Sequence, residues 1–218
     1  MKGDAAPFLD LSVRQFLAAV GSSEPTPGGG AVAAVAASSA AALIAMVARI
    51  TEARKDARAS APQAARLRQS ADELCRSLQE AALEDADSFE QYMAALRMPR
   101  DSDEQRASRR DARRAAARRA TAAPLGVARD ARRLLDMAAE LVPLANAHVV
   151  SDVAAAAQLT RAAVAAALVT VRVNLPAKPS ASDEQFYEDV RDEAAELAAN
   201  IDGIARTIQA AVENAIDT

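Results

Sequence analysis

Three groups of residues in this chain have types and spacings that suit chemistry. The first is Pro25-Thr26-Pro27-Gly28-Gly29-Gly30, which runs straight into an apolar helical pattern. Glycine costs roughly 0.5–1 kcal/mol against alanine inside a regular element. This chain uses alanine wherever it can, so the run points to a backbone requirement. A glycine-rich turn feeding a helix start offers unpaired N–H donors and the positive end of the dipole, which suits an anionic group. A tight linker between two helices would use the same residues, and the run fits neither the P-loop nor the dinucleotide pattern. The second group is Asp85 and Asp87, inside a long helical pattern in which Asp85 shares a stripe with Phe89 and Tyr92. A carboxyl among apolar groups has its pKa pushed up and can give or take a proton. Two solvated helix charges are the plainer reading. The third group is Asn146, His148, Ser151 and Asp152, a dense polar cluster before an apolar helix that ends at Asn174. Ser151 and Asp152 serve equally well as helix caps. Asn174 reads as either a C-cap or a ligand contact.

No metal is expected. His148 is the only histidine and Cys75 the only cysteine, far apart in sequence, and one imidazole makes no zinc site. Cys75 reads as filler within a helix, with no histidine nearby to activate it. A single cysteine forms no internal disulfide, which fits a reducing compartment. The N-terminus shows no basic segment followed by an apolar run, so the expected location is the cytoplasm. Arg106, Arg109, Arg110, Arg113, Arg114, Arg118 and Arg119 form a basic stripe at helical spacing. A solvated face is the plain reading; an acidic ligand tail or an acidic partner is the sharper one. Nucleic acid is disfavoured by a net charge of −4 and an aromatic content of 3% with no Trp.

Helices must position all of these residues. The chain has 218 residues, 51% hydrophobic, with few of the β-branched and aromatic residues that support sheets. An all-α bundle of about seven helices follows, as one domain over residues 1–218. Small side chains let its axes approach closely. Ser12 with Gln15 forms a capping box for the first helix. The second spans about Ala31 to Ala57 and is apolar all round for its first five turns, which marks it as central. Its stretch from Ala31 to Ala48 holds Ser38 and Ser39 and closes at Arg49, so it reads as buried and not membrane-spanning. A third helix runs from Pro62, after a Ser60 cap, to Arg97 before Pro99. Ser102 with Gln105 opens a fourth to about Ala122. Pro124 starts a fifth, with Pro143 breaking its end near Ala147. Ser151 or Asp152 opens a sixth, apolar on all sides, to Asn174. Ser182 with Gln185 opens the last, with Phe186, Val190, Ile201, Ile208 and Ile216 on one face. Two helices apolar all round predict an oligomer that buries them.

Taken in order, these segments resemble the cyclodeaminase/cyclohydrolase family of folate enzymes. Pro25–Gly30 followed by the Ala-rich helix through Met46, Val47 and Thr51 is similar to the family's glycine motif. Asp85-Ala86-Asp87-Ser88-Phe89, continuing to Leu96-Arg97-Met98-Pro99, resembles its D-x-x-x-F helix ending in L-P. Ser102–Gln105, the arginine-rich helix and Pro124-Leu125 resemble the next stretch. Asn146–Asp152 is similar to G-N-x-x-x-x-S-D, and Val173-Asn174-Leu175 to the closing I-N-L. The resemblance covers nearly the whole chain. It implies a homodimeric, all-helical enzyme acting on tetrahydrofolate derivatives without metal or separate cofactor. Such an enzyme cyclises 5-formiminotetrahydrofolate with loss of ammonia, or hydrolyses 5,10-methenyltetrahydrofolate to the 10-formyl form. Asp85 and Asp152 would then be the catalytic carboxylates. Pro27, Gly28, Gly29, Gly30, Arg54, Lys55, Asn146, Ser151 and Asn174 would contact substrate. The chain departs from the pattern at Thr51-Glu52-Ala53-Arg54-Lys55-Asp56-Ala57, where members often carry a glycine and a tyrosine. It departs again at Ala145, in place of glycine, and at Thr170, in place of asparagine. These departures leave a second reading open: a folate-binding or scaffold protein that keeps the fold without the chemistry.

Overall fold

The structure, a computed structural model, describes residues 8–55 and 58–217, and among these it contains helices and no strand. The elements are α1 (Val13–Val20), α2 (Gly29–Glu52), α3 (Ala61–Arg97), α4 (Asp103–Leu141), α5 (Val150–Asn174), α6 (Glu184–Ala198) and α7 (Ile201–Ile216). Short 3-10 turns cover Phe8–Asp10 and Val142–Leu144. Both N-terminal capping boxes close: Gln15 N–H donates to Ser12 Oγ at 3.3 Å, and Gln105 N–H to Ser102 Oγ at 3.1 Å. Ser60 is the N-cap residue of α3, with Pro62 in the first turn.

The core is built around α2, which packs on α3 and α5, while α4 closes the bundle against α3 and α5. Ala34, Ala37, Ala41 and Ala48 of α2 have no exposed surface, and these small side chains allow close packing. Ile44, Leu67, Leu78, Leu134, Leu135 and Leu141 supply the volume. By length and composition α2 and α5 would each span a bilayer; here their inner faces form the centre of the bundle. The longer pair, α3 and α4, has 37 and 39 residues against 24 and 25 in α2 and α5. At 1.5 Å per residue the excess is about 20 Å. The linked tips of α3 and α4 overhang the start of α2 and the end of α5, and a hollow forms beneath them.

Several expected boundaries move. α2 begins at Gly29, taking two glycines into its first turn, and ends at Glu52; residues 56–57 lie outside the described set. The fourth and fifth helices are one, α4, with Pro124 buried inside it. Proline lacks the N–H that would bond the carbonyl four residues earlier. That carbonyl belongs to Ala120, and Asn174 Nδ2 donates to it at 2.6 Å. Thr121 Oγ1 ties the same point from the other side, donating to Ala117 O at 2.9 Å and Asn174 O at 3.3 Å. The last helix is two: Asn200, at φ 60°, breaks it into α6 and α7. Asparagine tolerates that left-handed backbone, and its side chain fills the space where Gly203 would carry a Cβ. The third capping box does not form; α6 starts at Glu184 with Asp183 as N-cap, and the Asp183 carboxylate, engaged by Arg114 and Arg118, makes no cap hydrogen bond. Ser151 and Asp152 do not cap α5 either. Val149 occupies the N-cap position, and both residues lie in the first turn.

Asn174→Ala should cost about 1–3 kcal/mol by leaving the Ala120 carbonyl buried and unpaired. In a Pro124→Ala background, where the helix regains its N–H, the same substitution should cost less. Denaturant unfolding of the four proteins checks this; equal costs in both backgrounds would contradict it.

Candidate active site

The N-terminus of α2 lacks a cap of its own, since Gly28 at the N-cap position has no side chain. A helix start leaves N–H groups that need partners. Here the partner comes from another helix: Asp85 of α3 accepts a hydrogen bond from the Ala31 N–H. The carboxylate occupies the space above Gly30, where a Cβ would overlap both of its oxygens. Gly30 is therefore a glycine so that Asp85 can reach the helix end. No glycine among the described residues has positive φ, so the run does not serve a left-handed turn. Asp85 is largely withdrawn from water, and this burial raises its pKa above the ordinary carboxylate value despite the Ala31 hydrogen bond. A carboxyl so placed, on the wall of a hollow, is suited to moving protons.

The hollow beside it is a cavity of about 570 Å³, within the range of small-molecule sites. Gly28, Gly29 and Gly30 form one wall and Asp85, Phe89 and Tyr92 another. Thr170, Asn174 and Tyr187 close it from α5 and α6. Gly29 has open space where a Cβ would stand, so a bound group can approach the main chain there. Pro27, expected as a contact, is buried and does not line the cavity; its neighbours Pro25 and Thr26 do. Asn174 lines the cavity while its Nδ2 holds Ala120 O, so it is both a structural cap and a wall. Tyr187 was not legible as a site residue. The signal available was scarcity: the chain has two tyrosines, Tyr92 and Tyr187, and both face this cavity. Burial pushes the Tyr187 phenol up.

The remaining expected residues are elsewhere in the protomer. α2 starts and α5 ends at the cavity, so the two packed helices run antiparallel. Arg54 and Lys55 follow the far end of α2, and Asn146, Ser151 and Asp152 stand at the far end of α5. From Asn174 to Asp152 along α5 is about 33 Å. None of the five lines the cavity. Asn146 Oδ1 accepts the His148 N–H at 2.8 Å, which shapes the turn into α5. Within one subunit the two aspartates do not converge. Among the described residues no three His, Cys, Asp or Glu side chains are grouped to hold a metal ion. Cys75 is half-buried, its thiol raised by burial and directed at the Ser38 carbonyl.

A second hollow, of about 820 Å³, continues from the first, and Tyr92, Ala117, Pro176 and Tyr187 line both. Its far wall is the arginine face at the start of α4. The strap from Pro176 to Ser182 covers one side. Asp183, 4% exposed, pins that strap: Arg114 Nε at 2.7 Å, Arg118 Nη1 at 2.9 Å and Ser180 Oγ at 2.7 Å all reach its carboxylate. Ser180 and the two arginines hold that carboxyl below the ordinary range. Arg118 also stacks over the Phe186 ring, 4.2 Å from its centre.

Fold and site together define an all-helical protein with a small-molecule cavity at a helix start, walled by aromatic rings and one half-buried carboxyl. The family model described as formiminotransferase-cyclodeaminase matches residues 12–196, and the chain belongs to that family. It is 28% identical to a methenyltetrahydrofolate cyclohydrolase of Methylorubrum extorquens over 206 residues, covering 94% of this chain and 98% of that protein. It is 29% identical to formimidoyltransferase-cyclodeaminase of Rattus norvegicus over 195 residues, 89% of this chain but 36% of the rat protein. The crystal structure of a formiminotetrahydrofolate cyclodeaminase from Thermotoga maritima superposes with a TM-score of 0.81 at 29% identity, covering 94% of this chain and 98% of that one.

Because its folded pKa is raised, ionised Asp85 costs stability. The cost is absent below the unfolded pKa and grows as pH rises toward the folded one. Asp85→Asn keeps an acceptor for the Ala31 N–H, so it should raise Tm at pH 7, and the gain should fade in acid below the ordinary carboxylate range. A Tm gain independent of pH, or a loss at pH 7, would contradict the assignment.

Proposed function

We propose that the protein is a folate one-carbon enzyme working on the bridging carbon of tetrahydrofolate. It hydrolyses 5,10-methenyltetrahydrofolate to 10-formyltetrahydrofolate, or closes 5-formiminotetrahydrofolate with release of ammonia. The observation that carries this reading is Asp85, half-buried on the wall of the cavity at the start of α2. The cavity is large enough for a pterin, and Phe89, Tyr92 and Tyr187 offer ring faces for it. The methenyl bridge is cationic, so a carboxylate beside it stabilises the charge that changes during reaction. In hydrolysis water adds to the bridging carbon and loses a proton to a carboxylate. The bond to N5 then breaks, and N5 takes up a proton. One carboxyl serves in both steps, and no cofactor other than the folate itself is required. The expected setting is the cytoplasm.

We also propose a homodimer, formed through the outer faces of α2 and α5. Val32, Met46 and Ile50 on α2 and Leu159, Val169 and Val173 on α5 are exposed, Val173 by 77%. Large apolar side chains left exposed on two neighbouring helices suit an association surface. A two-fold partner packed antiparallel on it would bring its far end, with Asp152, Asn146, Ser151, Arg54 and Lys55, toward this cavity. That arrangement joins the two sets of expected residues, which one subunit holds about 33 Å apart. The departures after Thr51 favour the second reading, folate binding without turnover.

Following the absorbance decay of 5,10-methenyltetrahydrofolate against its spontaneous rate tests the reading. Wild type should accelerate the decay, and Asp85→Asn or Asp152→Asn should each lower kcat by about 10²-fold or more. Co-expressed Asp85→Asn and Asp152→Asn subunits should recover about a quarter of wild-type activity through mixed dimers with one intact site. Calorimetric binding of tetrahydrofolate with no acceleration of decay would establish the scaffold reading instead. No recovery in mixed dimers would remove Asp152 of a second copy from the site.

A further inference from the structure

Two hydroxyls on the cavity wall are already spent. Ser88 Oγ donates its one proton to Asp85 O at 2.9 Å, and Thr170 Oγ1 donates to Ala166 O at 3.2 Å. Asn174, on the same wall, carries a donor at one end of its amide and an acceptor at the other. The orientation of that amide decides what a ligand meets, and the orientation follows from Pro124. Proline leaves the Ala120 carbonyl without its helical partner. Only the Nδ2 end of an amide can donate to a carbonyl, and at 2.6 Å from Ala120 O that end is committed. Oδ1 is thereby left as the free end. No described residue donates to it, and it is not sealed from solvent. Thr121, fully buried, clamps the same residue through its main chain, 3.3 Å from Asn174 O. An amide that donates at one end is polarised and accepts more strongly at the other. Asn174 therefore relays the acceptor freed inside α4 to the cavity. Pro124 itself is buried in the helix and does not line that space.

Given the folate reading, on which this inference rests, we propose that Pro124 is a positioning residue for substrate selection. It holds Asn174 with Oδ1 toward the ligand, and Oδ1 accepts a hydrogen bond from the exocyclic amine of the pterin. That ring carries the amine and a neighbouring ring N–H as donors on one edge. Asp85 is assigned to the bridging carbon, so the Asn174 amide is the acceptor of fixed orientation that remains for this edge. A ring with a methyl group in place of the amine leaves Oδ1 unpaired, and the site discriminates against it for that reason. The preference acts on binding, because the amine takes no part in the bond changes.

The test uses calorimetry with 5-formyltetrahydrofolate and with its analogue carrying methyl in place of the exocyclic amine. Wild type should bind the amino ligand about three- to tenfold more tightly, the scale of one net hydrogen bond. In Pro124→Ala the residue 124 N–H takes back the Ala120 carbonyl, the Asn174 amide is released, and the preference should fall. In Pro124→Ala/Asn174→Ala it should reach about one, and Pro124→Ala/Asn174→Asp, which restores an acceptor without needing the donor end, should recover it. A loss of packing shared by both ligands cancels in this ratio. Circular dichroism melting confirms that each variant is folded. Equal affinity for the two ligands in wild type overturns the proposal and leaves the folate reading standing. A wild-type ratio retained in Pro124→Ala overturns it as well, since Asn174 would then hold its orientation unaided. Absence of binding for both ligands, with no acceleration of methenyltetrahydrofolate decay, removes the folate reading and this inference together.

Discussion

The contact between the Asp85 carboxylate and the uncapped start of α2 organises this molecule. A helix beginning Gly-Gly-Gly has no side chain with which to satisfy its own first N–H groups, and α3 provides one 54 residues later. That long-range cap fixes the depth at which α3 passes α2. It also requires Gly30 to be bare, because any Cβ there would occupy the carboxylate's place. The same contact holds an acid in a half-dry position. Burial raises its pKa, while the Ala31 N–H and the positive end of the helix keep the charged form accessible. Stability and the proposed chemistry therefore meet at one residue: the group that closes the helix end is also the one proposed to exchange a proton.

The hollow beside this contact follows from helix lengths. α3 and α4 outrun α2 and α5, and their tips and the strap after α5 enclose space that the shorter helices leave empty. The central helix α2 presents mostly alanine and glycine, while Ile44 and the leucines of α3 and α4 supply the core volume. Three of the chain's six Phe and Tyr rings, Phe89, Tyr92 and Tyr187, stand at the cavity. Two internal repairs keep the frame rigid there. Asn174 satisfies the carbonyl freed by Pro124, and Asp183 draws Arg114 and Arg118 over the strap. Asn174 lines the cavity and Asp183 the second hollow that continues from it, so the walls of both are anchored to the bundle.

Much of this was legible in the sequence, and the parts that were not share a cause. The helical class, the central place of α2, the two N-terminal capping boxes and the Asp85–Phe89–Tyr92 stripe all follow from local spacing. Pro124 misled because proline usually starts or ends a helix; here a side chain 50 residues away repairs the lost hydrogen bond, and local spacing carries no trace of that. The break at Asn200 was hidden because the apolar period continues through it. Ser182 and Gln185 have the spacing of a capping box, but the helix starts one residue later, at the N-cap Asp183, whose carboxylate two arginines hold. In the site, Gly28–Gly30, Asp85 and Asn174 come together, whereas Asp152 and its neighbours stand at the other end of α5. Order along a chain does not say which end of a long helix faces which, and residues that join through a second copy cannot be told apart from residues that never meet.

The central claim is that Asp85 is the half-buried acid–base group of a folate-binding cavity. Its most direct test is carbon-13 NMR titration of the Asp85 carboxyl, assigned by comparison with Asp85→Asn, in the free protein and with 5-formyltetrahydrofolate bound. The account predicts a titration midpoint above the ordinary carboxylate range in the free protein and a further displacement on binding. A midpoint in the ordinary range that does not move when the folate is added would contradict it.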